Sequence, residues 1–371
     1  MAPQKTSLYE KHEALGASFT DFGGWDMPLK YENDVEEHKA VREFSGLFDL
    51  SHMGEFRITG PDAAAFLDYT LVSNMGILKV GKAKYSILVD EDGKILDDLI
   101  TYRLGEEEFL VVPNASNVAT DFEAFKARTE GFDVELVNES ADTSLVAVQG
   151  PTSEQILLAM NPSDAEAIKE LKYYASVPLK FGEVDVLLAR TGYTGEDGFE
   201  IYVSNENATK IWDAATEAGK EFGIKPAGLA ARDSLRLEAG MPLYGNELGK
   251  EISVFESGLG RLVEIALEKK KADFVGREAL AQLAENDSER ILVGLKAQAK
   301  RPARSGAKLV DGEVEIGEVT SGIPSPTLGH PVAMALVKRE YSEIGTTIDV
   351  DIRGKKAPFE VVALPFYKRE S

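Results

Sequence analysis

A strand, a Gly-Pro pair and a helix occur in the same order twice along the chain, at Phe56-Arg57-Ile58-Thr59-Gly60-Pro61-Asp62-Ala63 and at Leu145-Val146-Ala147-Val148-Gln149-Gly150-Pro151-Thr152. In each, glycine permits the tight turn out of the strand, and proline stands at the start of the helix, where its missing N–H costs nothing. An apolar helix face follows, through Phe66 and Leu67 in one case and Ile156 and Leu157 in the other. The recurrence fits two similar α+β halves. It fits equally a chance repeat of a common strand-to-helix turn.

With 371 residues the chain exceeds one ordinary core, so two or three domains are expected. Residues 85–112 alternate or run apolar, with Asp92-Gly93 as a hairpin turn inside them. Asp97 and Asp98 interrupt the second strand and, as successive residues, face opposite ways. Residues 208–223 read as an amphipathic helix with Ile211, Ala215 and Ala218 on one side and Gly223 as its stop. After a polar linker at 285–290, residues 291–366 are short β-type runs broken by Gly, Asp-Gly and Ser-Pro, the pattern of a small all-β domain.

There is no cysteine, which excludes disulfides, thiolate metal sites and cysteine nucleophiles. The formal charge of -22 repels nucleic acid and anionic membrane, so a function on either would need a strong basic patch. The dense basic runs are Lys269-Lys270-Lys271 and residues 300–304. Both are short and read as solvated loop charge, the alternative being a docking patch for an acidic partner or a polyanionic cofactor tail. No apolar run approaches the roughly 20 residues that span a bilayer, and the first residues lack the regions of a signal peptide, so a cytoplasmic location is expected. The four histidines, at 12, 38, 52 and 330, show no ligand spacing. No metal is expected, and His52 reads as structural.

Three stretches could carry chemistry. A carboxylate on an apolar strand, such as Asp98, is desolvated unless paired or functional, and burial raises its pKa toward acid/base use; an edge-strand Asp exposed to water fits the same stretch. The loop from Arg190 to Glu200 packs three glycines, Tyr193, two threonines and three acids before a strand. Glycines let backbone approach a ligand, Tyr193 can stack on a flat ring, and Glu200 can accept two parallel bonds from an amino-pyrimidine edge. It lacks the lysine of a phosphate loop and the following helix of a dinucleotide fingerprint. A plain acidic turn has the same composition. On the helix around residues 228–240, Arg232 and Arg236 lie four apart on one face, suited to ion pairs or to a carboxylate ligand.

Taken together, these stretches resemble the aminomethyltransferases of the glycine cleavage system nearly end to end. The matching landmarks are Phe22-Gly23-Gly24-Trp25, Gly46 through Ser51-His52-Met53-Gly54, Tyr85, Leu96-Asp97-Asp98, Asn114, Gln149-Gly150-Pro151, Arg190 through Glu200, Gly228 through Gly240, Asp273 through Gly276, Gly317 through Gly322, and Pro365-Phe366-Tyr367. The resemblance implies an α+β fold, a three-domain cloverleaf around a central folate channel with a small all-β C-terminal domain. Its domains would be residues 1–52 with 140–284, residues 53–139, and residues 285–371. By position, Asp98 is similar to the family's catalytic aspartate. Tyr85, Tyr193, Glu200 and Arg232 are similar to its folate contacts, and Met53 and Asn114 to neighbours of the channel.

The activity so implied moves the methylene carbon from the aminomethyl-lipoyl arm of H-protein to tetrahydrofolate, giving 5,10-methylenetetrahydrofolate, ammonia and the dihydrolipoyl arm. The partners implied are lipoylated H-protein and, transiently, P-protein and L-protein, with no nucleic acid and no membrane. Two other functions are compatible with such a build: a folate-dependent demethylase, and a non-catalytic folate-binding factor for iron–sulfur assembly. The second resembles a Lys-Gly-Cys signature that this cysteine-free chain lacks. The chain departs from the family pattern at Met75, Asn246, Val254 and Arg261. Arg261, a cation where an aromatic is usual, could alter a channel mouth or the H-protein surface, or be neutral.

Overall fold

The computed structural model describes residues 2–286 and 288–369. The chain begins with helix α1 (Tyr9–Ala14), a hairpin of β1 (Ser18–Phe22) and β2 (Trp25–Lys30), helix α2 (Asp34–Glu43) and strand β3 (Ser45–Asp49). Next come β4 (Phe56–Thr59), α3 (Ala63–Thr70), β5 (Ala83–Val89), β6 (Ile95–Gly105), β7 (Glu108–Val112), α4 (Val118–Ala127) and β8 (Glu135–Asn138). The same order then returns as β9 (Thr143–Gln149), α5 (Ser153–Met160), an added α6 (Ala165–Glu170), β10 (Ser176–Phe181), β11 (Val184–Ala189), β12 (Gly198–Ser204), α7 (Asn205–Gly219) and β13 (Ile224–Pro226).

The sheets repeat as the sequence does. One has the order β5-β6-β7-β4-β8 and the other β10-β11-β12-β9-β3-β13, identical but for β3 inserted before the last strand. Because β3 is antiparallel to β9 and parallel to β13, the insertion leaves β13 running against β9, as β8 runs against β4. The two Gly-Pro turns are therefore equivalent positions of one duplicated unit. Gly60 and Gly150 have φ of +126° and +139°, and a Cβ would lie 2.5 Å from the Asp133 carbonyl in one and 2.3 Å from that of Phe44 in the other, so only glycine fits.

By internal contacts the chain divides into two compact units. The first is Met1–Leu67, Met75–Tyr85 and Leu99–Asp233; the second is Asp68–Asn74, Ser86–Asp98 and Ser234–Ser371. The first has a core of alternating strand residues such as Val146, Val148, Leu188, Phe199 and Ile201, closed by Ile156 and Leu157 of α5 and by Ile211, Trp212 and Ala215 of α7. Helix α7 begins as soon as β12 ends, three residues before the amphipathic pattern starts, and Gly223 just beyond it is left-handed at φ +75°. At the N-terminus, buried Asp49 is held by His12 Nε2 at 2.9 Å and Thr6 Oγ1 at 2.7 Å, fixing α1 against β3.

The second unit contains the later part of helix α8 (Leu229–Glu238), α9 (Gly260–Lys269), α10 (Arg277–Ala284) and a closed barrel of β14 (Arg290–Ala297), β15 (Lys308–Asp311), β16 (Val314–Pro324), β17 (Pro331–Lys338), β18 (Thr347–Asp351) and β19 (Lys356–Val362). This is the small all-β segment expected after the linker. Its strands send Leu295, Val319, Ala335, Val350 and Phe359 inward. Arg236 of α8 is fully buried, donating to Glu247 Oε2 at 2.8 Å and to Ser321 Oγ at 2.8 Å. Of the two helical arginines, this one is structural.

Two surface expectations separate here. Lys270 is not a solvated loop charge: it is buried, and its ammonium donates to the carbonyls of Leu71, Val72 and Ser73 at 2.7–3.3 Å. Three carbonyls replace water around the ion, which makes its burial tolerable. Arg261 is the opposite case, 70% exposed in α9 and paired with Glu264 one helical turn away. Met75 and Val254 are buried core residues, and Asn246 donates to the Thr320 carbonyl and Ser321 Oγ.

Cutting Arg236 back to alanine strands the buried Glu247 carboxylate and is expected to cost about 3–5 kcal/mol. Arg261→Ala removes an exposed i,i+3 pair and is expected to change stability by less than about 0.5 kcal/mol. Urea unfolding of the two variants beside the parent checks both values.

Candidate functional site

The loop between β11 and β12 carries one expected ligand contact, Tyr193, and leads into a second, Glu200 of β12; its shape is set by side chains. Gln149, the last residue of β9, donates to the Thr191 carbonyl at 3.0 Å and accepts from Thr194 Oγ1 at 3.0 Å. Its amide lies so close to the loop that a Cβ on Gly192 or Gly198 would fall 1.9 or 2.4 Å from it. Two of the three glycines are thus there for Gln149, and the third, Gly195, turns the chain at φ +82°. Arg190 spans the loop's ends through Asp197 and adds a bond to Glu154 at 3.0 Å; Arg42 donates to the Thr194 carbonyl at 2.7 Å and to Glu196 at 3.0 Å.

That frame presents Glu200 and Tyr193. Glu200 is half-buried, and its Oε2 accepts from Thr191 Oγ1 at 2.6 Å and from the Tyr102 hydroxyl at 3.4 Å; Oε1 takes part in neither bond. Burial raises its pKa above the ordinary value, opposed by the Thr191 bond, the positive charge of Arg232 and the Tyr102 bond. The Tyr102 hydroxyl lies 2.9 Å from Thr191 Oγ1 and receives the Tyr202 hydroxyl at 3.4 Å, extending the cluster. The guanidinium of Arg232 sits 4.7 Å from the centre of the Tyr193 ring, an arrangement worth about 0.5–2 kcal/mol. Tyr193, Glu200 and Arg232 therefore gather in the first unit, around Arg232.

His52 joins them electrostatically. It is buried, its ring meets Phe22 edge-on, and Nδ1 has no hydrogen-bond partner. Burial and the charge of Arg232 together drive its pKa down to about 3, against a smaller upward pull from Asp49. Met53 and Asn114, both half-buried, are brought near each other by a bond from Gly54 N–H to the Pro113 carbonyl at 3.1 Å. Tyr85 is half-buried on β5 in the first unit. Asp98 lies on β6 and closes a segment of the second unit; it is half-buried, whereas Asp97, pointing the other way, is fully buried.

The hydroxyl cluster of Tyr102, Thr191 and Tyr202 was not singled out from the sequence. The period of a strand already places Glu200 and Tyr202 on one face of β12, so that signal was available. A cavity of about 970 Å³ within the first unit is lined by Tyr202, Glu55, Arg57, Glu108, Glu139 and Ser176 among others. None of the expected site residues lines it. Both carboxyl oxygens of Glu55 are buried without a hydrogen bond, and burial, with the charge of Glu139, holds its pKa well above the ordinary range.

Residues 8–267 match the family described as GCVT N-terminal domain, and residues 290–368 match the glycine cleavage T-protein C-terminal barrel domain. The chain is 55% identical to an aminomethyltransferase of Corynebacterium aurimucosum over 98% of both chains. It is 53% identical to that of Streptomyces coelicolor, over 99% of this chain and 98% of the other. Among solved structures, the glycine cleavage system aminomethyltransferase T of Bartonella henselae superposes with a TM-score of 0.90 at 37% identity, covering 98% of each chain.

His52 has a folded-state pKa near 3, below its unfolded value of about 6.5, so the unfolded chain takes up this proton first on acidification. Its contribution to stability is full above about pH 6.5 and is lost as the pH falls toward 3. The expected NMR result is a His52 Cε1–H shift that stays constant from pH 8 to pH 5; a titration centred near 6.5 would contradict it.

Proposed function

The chain belongs to the aminomethyltransferase family, the T-proteins of glycine cleavage, and on that premise we propose that Asp98 is its catalytic group, with Tyr85, Tyr193, Glu200 and Arg232 holding tetrahydrofolate and Met53 and Asn114 bordering the channel. The enzyme transfers the methylene carbon of the aminomethyl-lipoyl arm to tetrahydrofolate, releasing ammonia and the dihydrolipoyl arm. We assign it to the cytoplasm; among the described residues no helix is long and apolar enough to cross a membrane. The carrier is lipoylated H-protein, with P-protein and L-protein as transient neighbours. Three functional domains, residues 1–52 with 140–284, 53–139 and 285–371, belong to the same reading, and the separate sheets and barrel support it.

The observation that carries the residue assignment is the gathering of Glu200, Tyr193 and Arg232 around a loop whose geometry Gln149 fixes beforehand. A carboxyl oriented on one oxygen by hydroxyl donors keeps the other for the amino-pyrimidine edge of a pterin. Such a site binds by preorganisation, because its parts need not reorder when the ligand arrives. Burial raises the Glu200 pKa above its ordinary value, against the Thr191 bond and the charge of Arg232, so this carboxyl holds a proton more readily than an exposed one does.

In the transfer, two folate nitrogens end bonded to the methylene carbon. The carbon's bonds to nitrogen and to sulfur break, and the two folate N–H protons leave on ammonia and on the thiol. Those protons move between weakly basic atoms, so a positioned carboxylate that accepts one and returns it lowers the barrier; general acid–base catalysis of this kind contributes typically about 100- to 10,000-fold. Asp98 has that role, and Glu200 and Arg232 hold the acceptor while it acts.

Asp98→Asn is expected to leave tetrahydrofolate affinity nearly unchanged and to lower turnover by about 100-fold or more. Glu200→Ala is expected to weaken tetrahydrofolate binding by about tenfold or more, since the bond from the pterin edge to the carboxyl is lost. Tetrahydrofolate-dependent ammonia release from aminomethylated H-protein, with folate affinity measured by titration, tests both. Near-full turnover in the Asp98 variant removes that residue from the mechanism.

A further inference from the structure

The first unit brings together three surface segments that are far apart in sequence. Gly81 N–H donates to the Arg103 carbonyl at 2.8 Å, Ala83 N–H to the Tyr174 carbonyl at 2.9 Å, and Ser176 N–H to the Gly81 carbonyl at 2.9 Å. Arg103 also reaches back to the Leu78 carbonyl at 2.8 Å. The result is a pinned surface rather than a loose loop, and it exposes large apolar side chains: Ile77 at 69%, Tyr173 at 54% and Val80 at 46%. Tyr174, next to Tyr173, adopts φ +57°, a conformation a non-glycine residue takes at a cost and that clusters at functional surfaces.

The charge of this surface runs against that of the molecule. Lys79, Lys82 and Lys172 are interleaved with the exposed apolar residues, and none of them is held in a salt bridge by a described residue. Arg103 is only 13% exposed and is paired with Glu106 at 3.2 Å, so it braces the surface without adding to its charge. On a chain of net charge -22, three lysines that no described residue pairs stand around an apolar centre. A molecule so acidic repels other acidic proteins at long range, and a local patch of opposite sign both overcomes that repulsion and sets the register of docking. Apolar and aromatic residues framed by charge are also the anatomy of a protein–protein interface.

We propose that residues 77–82, Arg103 and residues 172–174 form the docking surface for an acidic carrier protein, the lipoylated partner of the reaction; the identity of that partner rests on the functional reading above. The lysines receive acidic side chains of the carrier, and Ile77, Val80 and Tyr173 pack against an apolar patch at its centre. The surface continues directly into β5, which carries Tyr85 three residues beyond Lys82, so a carrier seated here delivers its arm beside a strand assigned to folate.

The test compares the parent enzyme with Lys79→Glu/Lys82→Glu, with Lys172→Glu/Tyr173→Ser on the second segment, and with Lys126→Glu as an exposed control on α4. Thermal unfolding verifies that each variant is folded. Both patch variants are expected to raise KM for aminomethylated H-protein about tenfold, with kcat and tetrahydrofolate affinity unchanged, while the control matches the parent. Added salt should raise the parent's KM more than that of the charge-reversed enzyme. Fluorescence anisotropy of labelled H-protein gives binding without turnover. Parental KM and parental binding in both patch variants overturn the docking surface; loss of binding in them, alongside a parent enzyme that releases no ammonia, overturns the functional reading and leaves the surface standing.

Discussion

The Gln149 side chain lying against the backbone of Gly192 and Gly198 is the interaction on which the rest of the first unit's site depends. It joins the end of β9 to the loop before β12 with hydrogen bonds at both ends of its amide. Thr191 is thereby fixed, and Thr191 in turn orients Glu200. A side chain of any size at Gly192 or Gly198 would push this amide away, so these glycines serve the scaffold. The same strand end carries the Gly150-Pro151 turn, so one short segment positions both α5 and the loop before β12.

Buried ionisable groups in this unit fall into two kinds. Asp49 is compensated: burial pushes its pKa up, but bonds from His12, Ser51 and Thr6 and the charge of His12 more than offset that and bring it below the ordinary value. Glu55 and His52 are not compensated, and burial drives each toward its neutral form. A neutral His52 adds no second positive charge beside Arg232.

Much of the architecture was legible in the residues because local rules agreed with the final packing. The Asp92-Gly93 turn, the two Gly-Pro junctions, the polar linker near residue 285 and the short β runs after it all have a local cause. Where sequence reasoning went astray, the cause was tertiary. Lys270 looks like one of three solvated lysines, and only the carbonyls of residues 71–73, remote in sequence, make its burial possible. Gly192 and Gly198 look ligand-directed because nothing local announces Gln149. The exposed lysines form no run, since Lys79 and Lys82 lie in one segment and Lys172 in another. Asp98 was legible as a carboxylate breaking an apolar strand, and the alternation that buries Asp97 and leaves Asp98 half-buried follows from strand geometry alone.

The inserted strand β3 bears on how the chain assembles as it leaves the ribosome. The five-stranded sheet is complete once residue 138 has emerged, its longest pairing joining β4 to β8 across 82 residues, from Phe56 to Asn138. The six-stranded sheet must hold residues 45–49 in waiting until β9 arrives about a hundred residues later, and its far edge stays open until β13 at 224–226. Such long-range closure is slow and leaves a strand edge unpaired in the meantime. The duplicated halves thus share a topology but not a folding schedule, and the second is the more exposed to chaperone capture and to misassembly during synthesis.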